Sequence, residues 1–513
     1  MRRVSVLWKA SLLAFISSFC LMVIELVAGR ILAPYIGVSI YTWTSIIGVI
    51  MAGIALGNYI GGKIADRFPS PNLLVAAFFL GSLATIAILP AILLVTVRDW
   101  FGNLPVVLNF TLKTACIFFL PAAILSVISP VVIKLTLADL GKAGGITGTI
   151  YAWSTAGSIL GTFMTGFYFI LWFGTRMTIW LLTVILLITG IATLFFWQSG
   201  RTWKFSRENL IKIAVVVSML VVSGVIFSLR ENWWVAYTRE SNYYSIMVLD
   251  RDDSIKILSL DHLIHSFVKP DDPAYLDYPY LKVFAEIVKY ETRENPRPSM
   301  LHLGGGGYSF PRYMEAIYPG SVNYVIEIDP AVTEVAYEEL GLSKETSIRT
   351  YNQDARLFLT EQRTDTKYDF VIGDVFNDMS TPYQLTTLEF DRLVKANLNE
   401  SGIYLINIID KYEEGKYMPS FVYTLQKVFR HVYLFSPGIP FETIYSATFI
   451  IAAADHPIDL ADFRKFIISN ESFNALNIPL SEEKLEKYLA ERKPILLTDD
   501  YAPTDILVAE LTR

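Results

Sequence analysis

Four glycines in succession, Gly304-Gly305-Gly306-Gly307, follow a short apolar run and open a helix-like interval. Such a run allows a tight turn and lets a ligand approach the backbone and the partial positive charge at the start of the next helix. By itself the run fits an ordinary turn, a nucleoside or a dinucleotide equally. Glu327 narrows the choice. It closes a second strand-like run about 20 residues beyond the glycines, where a carboxylate can accept both hydrogen bonds of a ribose diol. Asp354 ends a third run and could accept a hydrogen bond from an adenine amino group, while Asp374 ends a fourth at the same edge. Both aspartates would also serve as helix N-caps or turn residues. Suitable groups at four consecutive strand ends nevertheless describe a nucleoside site better than four unrelated turns. Other chemistries have less support. Tyr308-Ser309-Phe310 follow the glycines, so the Gly-x-Gly-x-x-Gly pattern of a dinucleotide dehydrogenase is not completed. The five histidines form no cluster, and Cys20 and Cys116 lie in apolar runs without ligand spacing. No metal site, disulfide framework or thiol nucleophile is expected.

These groups need a sheet to hold them. Runs 299–303, 323–327, 347–351, 368–372 and 402–408 read as strands, with helix-like intervals starting near Ser309, Pro330, Ala355, Thr386 and Lys416. Such alternation predicts a mostly parallel, doubly wound α/β sheet of the Rossmann-like, methyltransferase type. In front of it, 243–249 and 254–258 are β-rich runs around the turn-forming Asp250-Arg251-Asp252-Asp253, which predicts a small β subdomain.

The first half of the chain is a different material. Of the 513 residues 53% are hydrophobic and 18% charged, with a mean hydropathy of +0.42, which excludes disorder, collagen-like repeats and a purely soluble enzyme. Residues 1–228 hold 15 Lys/Arg against 5 Asp/Glu; the remainder holds 28 against 44. Nothing strongly basic points to nucleic acid. Apolar stretches long enough to span about 30 Å of hydrocarbon fall at 7–32, 43–60, 73–97, 112–133, 146–171, 177–197 and 211–229. About seven helices are therefore expected, the first retained rather than cleaved as a signal peptide. The expected organisation is a polytopic membrane domain over 1–229, a β subdomain with its connecting helix over 230–298, and a nucleoside-binding catalytic domain over 299–513. Gly157 and Gly161 have the spacing that lets two helix backbones approach. Glu25 and Arg30 lie in or at the end of the first stretch, where an ionisable side chain marks either a transport pathway or a structural pairing. Lys/Arg asymmetry places the N-terminus and alternate loops in the cytoplasm, so a seventh full crossing would put the second half outside. The chemistry of the second half favours the cytoplasm instead.

Two resemblances follow. Gly62-Lys63-Ile64-Ala65-Asp66-Arg67-Phe68 resembles the cytoplasmic loop signature of the major facilitator superfamily of transporters, in which the acid and base of this loop tie helix ends together. From about Glu240 to Ile408 the chain resembles the spermidine synthase, or polyamine aminopropyltransferase, family, and as a whole its membrane-fused members. The match rests on Glu240-Ser241-Asn242-Tyr243-Tyr244-Ser245-Ile246, Leu260-Asp261, the glycine loop, Glu327, Gln353-Asp354-Ala355, Tyr368-Asp369-Phe370-Val371-Ile372-Gly373-Asp374, and Pro382, Leu385, Thr387, Glu389 and Phe390. Leu497-Thr498-Asp499-Asp500-Tyr501-Ala502-Pro503 resembles a tail signature of the fused branch.

This resemblance implies aminopropyl transfer from decarboxylated S-adenosylmethionine, a co-substrate, to putrescine or a related amine, with release of methylthioadenosine and no prosthetic group. It implies Asp374 as the catalytic acceptor of the amine proton. Gly304, Gly305, Gly306, Glu327, Asp354, Ala355 and His265 would meet the nucleoside, and Tyr278, Asn377 and Asp378 the amine. Two positions depart from the family pattern: Gly307 stands where an acid usually meets the aminopropyl amine, and Asn377 replaces a second acid, with Asp378 one residue on. The implied partners are a small-molecule amine, a nucleoside sulfonium and a lipid bilayer, with a homo-oligomer also open; the location is a cell membrane. The alternatives are methyl transfer from intact S-adenosylmethionine on the same sheet, and a polyamine transporter or sensor with a non-catalytic nucleoside domain.

Overall fold

The computed structural model describes residues 2–97, 100–101, 104–137, 140–196, 235–252, 254–361, 366–376, 381–469 and 479–508. The chain divides into two compact units, Met1–Trp233 with Glu240–Ser245, and Trp234–Arg239 with Ile246–Arg513.

The first unit is helical: α1 (Arg2–Ile36), α2 (Ile40–Arg67), α3 (Pro71–Val97), α4 (Val106–Thr114), α5 (Leu120–Ser126), α6 (Ile128–Thr136), α7 (Ala143–Met164) and α8 (Ile170–Phe196). Single π-helical turns join α4 to α5 and α7 to α8. Among the described residues, five helical runs are long and apolar enough to cross a membrane: Val6–Ile36, Ile40–Arg67, Pro71–Thr96, Val107–Thr136 and Ala143–Phe195. The last has 53 residues, about 80 Å if straight, far more than one crossing needs. Gly174, at φ 72° and ψ 173°, breaks it into two arms. Those arms correspond to the two stretches expected at 146–171 and 177–197, so six of the seven expected stretches are helical; the seventh, 211–229, lies outside the described residues.

Glycine sets the packing of these helices. A Cβ on Gly157 would lie 2.2 Å from the Phe15 carbonyl oxygen, and one on Gly161 2.7 Å from that of Phe19, so α1 and α7 run parallel with backbones in contact. Gly53, Gly57 and Gly61 of α2 meet Ala122, Ala123 and Val127 in the same parallel sense. By contrast α3 and α8 run antiparallel, with the Ser82 hydroxyl donating to the Thr183 carbonyl at 3.0 Å and Gly190 lying against Phe79. The charged residues of this unit are paired in part. Asp66, in the last turn of α2, accepts from Lys134 of α6 at 2.6 Å, and Arg30 donates to the carbonyls of Ser241, at 2.7 Å, and Tyr243. Glu25 is buried, and its Oε2 makes no hydrogen bond.

The second unit holds two sheets. β1 (Val235–Glu240), β2 (Ser245–Asp252), β3 (Ile255–Leu260) and β4 (Leu263–Val268) form the first in that order. The other contains β5 (Ser299–Leu303), β6 (Val322–Ile326), β7 (Arg349–Tyr351), β8 (Tyr368–Gly373), β9 (Leu398–Lys411), β10 (His431–Phe435) and β11 (Ser446–Ala454), ordered β10-β11-β9-β8-β5-β6-β7. β5 to β9 are parallel, whereas β11 pairs antiparallel with β9 and β10. The sheet is thus Rossmann-like but mixed, with two antiparallel strands beyond the expected five. Alternation along each strand builds the two cores. Leu301, Leu303, Tyr404, Ile406, Ile408, Phe449 and Ile451 face one layer, which includes Phe358, Phe390 and Phe421. Met300, Phe370, Ile372, Ile403, Leu405 and Ile450 face the other, with Phe284, Phe310 and Phe463. Strand order reverses between β5 and β8, and a crevice at that switch point is where such sheets bind ligands.

Candidate active site

At the switch point the ends of β5 and β8 touch. Gly304 has φ +90°, and a Cβ there would lie 2.3 Å from the Asp374 carbonyl oxygen, so only glycine lets the loop pass beside the aspartate. The Asp374 amide in turn donates to the Leu303 carbonyl at 3.0 Å. Its side chain is held from two sides: the Tyr280 hydroxyl donates to Oδ2 at 3.0 Å and Asn407 Nδ2 to Oδ1 at 2.9 Å. Burial pushes the Asp374 carboxyl up to about 6, against the opposing pull of those two hydrogen bonds. A carboxylate that ionises near there can take a proton at neutral pH and give it up again.

Glu327 follows β6 and reaches back to the glycine loop. Oε2 accepts from the Gly305 amide at 2.8 Å and the Gly306 amide at 3.3 Å, and Oε1 from the Asp329 amide at 2.9 Å. Burial raises its ionisation above the usual carboxylate range, and these amides hold it back. Asp354 caps the helix Ala355–Glu361, with Oδ1 accepting from the Leu357 amide at 2.9 Å. The capping role considered for it from the sequence is therefore realised, and Ala355 is buried in the first turn behind it.

Of the residues expected at the amine, Tyr278 lies among the described residues. Tyr278 precedes the helix Pro279–Glu291, and its hydroxyl donates to the Ile264 carbonyl at 2.8 Å. Its ring lies 5.2 Å from Phe267 and 5.5 Å from Tyr280. Burial, Asp374 and Asp277 push its phenol up to about 12. Asn377 and Asp378 lie outside the described residues. On β4, burial and His262 push the His265 imidazole down to about 4, so it is neutral at pH 7. On the same strand Ser266 and Val268 lie against the glycine loop, and the Ser266 hydroxyl accepts from the Gly307 amide at 2.9 Å. A Cβ on Gly307 would come within 2.6 Å of the Ser266 Cβ. Tyr308 does not take up the missing acid's place. At φ +56° it turns inward, fully buried beneath Gly305, and its hydroxyl bonds Thr333 and Thr350 at 3.0 and 3.1 Å.

Ser266, Tyr280 and Asn407 were thus not anticipated. Asn407 had a signal, being the lone polar residue in the apolar run 402–408, since a buried amide in a strand needs a partner. Among the described residues no group of three or more His, Cys, Asp or Glu side chains could hold a metal ion.

Comparison with known proteins places these residues in a family context. Residues 235–462 match the spermine/spermidine synthase domain family. The polyamine aminopropyltransferase of Vibrio vulnificus (strain CMCP6) is 34% identical over 115 residues, 22% of this chain and 38% of that protein. Polyamine aminopropyltransferase 1 of Aquifex aeolicus (strain VF5) is 26% identical over 230 residues, 44% of this chain and 78% of that one. The match to the Vibrio relative therefore spans about two fifths of its length. Among solved structures, a probable spermidine synthase from Corynebacterium glutamicum ATCC 13032 superposes with a TM-score of 0.45 and 21% identity, covering 52% of this chain and 98% of that one.

Proposed function

We propose that the chain is a membrane-anchored polyamine aminopropyltransferase. The observation that carries this reading is the Asp374 carboxylate, held between Tyr280 and Asn407 and ionising near pH 6, beside a glycine loop bonded to Glu327. All of these residues fall within the stretch that matches the spermine/spermidine synthase domain family. In this reading the glycine loop, Glu327, Asp354, Ala355 and His265 hold decarboxylated S-adenosylmethionine, while Tyr278, Asn377 and Asp378 border the amine. The lone pair of a primary amine attacks the aminopropyl carbon bonded to sulfur. The carbon–sulfur bond breaks, its electron pair neutralises the sulfonium, and methylthioadenosine leaves. Asp374 takes the proton that the new secondary ammonium sheds. Because the sulfonium is already a good leaving group, catalysis lies in positioning the reactants and keeping the amine unprotonated. The apolar runs of the first unit anchor the enzyme in a cell membrane as a multi-pass protein.

The test is to incubate full-length protein in detergent with decarboxylated S-adenosylmethionine and a panel of di- and polyamines, following methylthioadenosine and aminopropylated amine by mass spectrometry. Parallel reactions contain intact S-adenosylmethionine. Products in equal amounts with the decarboxylated donor support the reading. Methylated amine from the intact donor alone, or no turnover by folded protein, would overturn it.

A further inference from the structure

The tail segment Leu497–Pro503 resembles a signature of the fused branch, yet nothing in the chemistry above uses it. In the folded chain it lies across the carboxyl edge of the sheet. The Leu388 amide donates to the Leu497 carbonyl at 2.9 Å, and the Leu497 amide to the Thr424 hydroxyl at 3.0 Å. Thr498 and Tyr501 close a tight turn with reciprocal backbone bonds of 3.1 and 3.0 Å. That turn presents Asp499, whose carboxylate meets Arg356 with both oxygens: Nη1 to Oδ1 at 2.8 Å and Nη2 to Oδ2 at 2.5 Å. The Thr387 hydroxyl adds a bond to Oδ1 at 2.7 Å, and the Asp499 amide donates to Glu389 Oε2 at 3.0 Å. Arg356 also donates to the Gln384 carbonyl at 2.9 Å.

The placement of these partners gives the contact its meaning. Arg356 stands in the first turn of the helix capped by Asp354, two residues before it. Thr387 caps the helix Leu388–Asn397, accepting from the Phe390 amide. One carboxylate therefore ties the N-termini of two neighbouring helices that pack in the same layer, at the edge where Asp354 and Asp374 emerge. A two-pronged guanidinium–carboxylate pair fixes orientation as well as distance. A surface ion pair contributes little to stability, so four polar contacts converging on one exposed aspartate serve geometry better than they serve folding.

We propose that Arg356 and Asp499 are positioning residues, a clamp through which the C-terminal tail sets Asp354 and the segment 382–387 in the geometry that receives the adenosyl group. This rests on the aminopropyltransferase reading for its ligand but not for its mechanics. In full-length protein, Asp499→Ala is expected to weaken methylthioadenosine binding, and raise the KM for the donor, by about tenfold, with kcat changed less than about threefold. Asp499→Glu, which keeps the charge, should recover most of that loss. Hydrogen exchange at the amides of 355–361 and 382–390 should quicken in Asp499→Ala and not in Asp499→Glu. A variant that melts at lower temperature while binding methylthioadenosine as tightly as the parent would reduce the clamp to an ordinary structural contact and overturn the proposal. If the unsubstituted protein binds no methylthioadenosine, the enzymatic reading fails, and the exchange data decide the clamp alone: unchanged rates in Asp499→Ala overturn it, and faster rates in both segments support it.

Discussion

Replacing Asp374 by asparagine separates two effects of the same carboxylate. An ordinary aspartate ionises near pH 3.9, and burial moves this one to about 6. The folded state thus holds the charged form at a cost of about 3 kcal/mol once the pH is well above 6. The sign follows from the raised value: the cost begins near pH 4, where the unfolded chain starts to ionise, grows until about pH 6, and is constant above. Asp374→Asn removes it. The amide still accepts one hydrogen bond, and Asn407 can turn its own Oδ1, which has no partner, toward the new NH2 group. The variant should therefore melt several degrees higher than the parent at pH 8 and at the same temperature near pH 4. Activity should move the opposite way. Without a proton acceptor, kcat is expected to fall about 10²- to 10⁴-fold. In the parent, kcat at saturating amine should fall about tenfold between pH 7 and pH 5 as the carboxylate is protonated. Methylthioadenosine release and thermal melts, both followed from pH 4 to 9, test the pair of effects. An asparagine variant that keeps a tenth of the parent rate, or a parent kcat flat from pH 5 to 8, would refute the assignment of Asp374 as proton acceptor.

Three further outcomes follow from the geometry. Glu327→Gln leaves one backbone amide facing an NH2 group, so methylthioadenosine affinity measured by calorimetry should fall about 10- to 100-fold; a change under twofold would remove Glu327 from the ribose site. Restoring an acid with Gly307→Asp should lower the melting temperature and weaken donor binding, since its Cβ would press on Ser266 and Val268 at a cost of about 1–3 kcal/mol; tighter donor binding would show that β4 yields. In the helical unit Gly157→Val meets the Phe15 carbonyl, a backbone atom that cannot swing aside, whereas Gly148 has nothing within 4 Å. Monodisperse protein in detergent should be lost for Gly157→Val and kept for Gly148→Ala.

Patterns that depend on neighbours along the chain were legible in the sequence. Strands β5, β6, β8 and β9 announce themselves by largely apolar runs followed by glycine or acid, and the helices after β5 to β9 start at or within two residues of the expected positions. Strands β10 and β11 were not expected; they pair antiparallel at one edge of the sheet, outside the parallel alternation of the other five. The helix break at Gly174 falls in the gap expected between the stretches 146–171 and 177–197. Site residues divide in the same way. Gly304, Glu327 and Asp374 lie at strand ends and could be read from spacing. Tyr280 and Asn407 reach Asp374 from 94 and 33 residues away, a proximity that only the assembled sheet creates. Tyr308 shows the limit most sharply, since nothing in the glycine motif marks the left-handed backbone that sends its ring into the core.

The bonds that Glu327 already makes have a stoichiometric consequence. A carboxylate offers about four lone-pair directions, and three are taken by the amides of Gly305, Gly306 and Asp329. Under the proposed role of Glu327, a ribose diol would bring two hydroxyl donors, one more than the remaining vacancy accepts. Binding would then be an exchange in which the weakest incumbent, the 3.3 Å bond from Gly306, gives way to the second hydroxyl. The amide set free belongs to the glycine loop and would become a donor available to the ligand, so that the count of hydrogen bonds closes without loss.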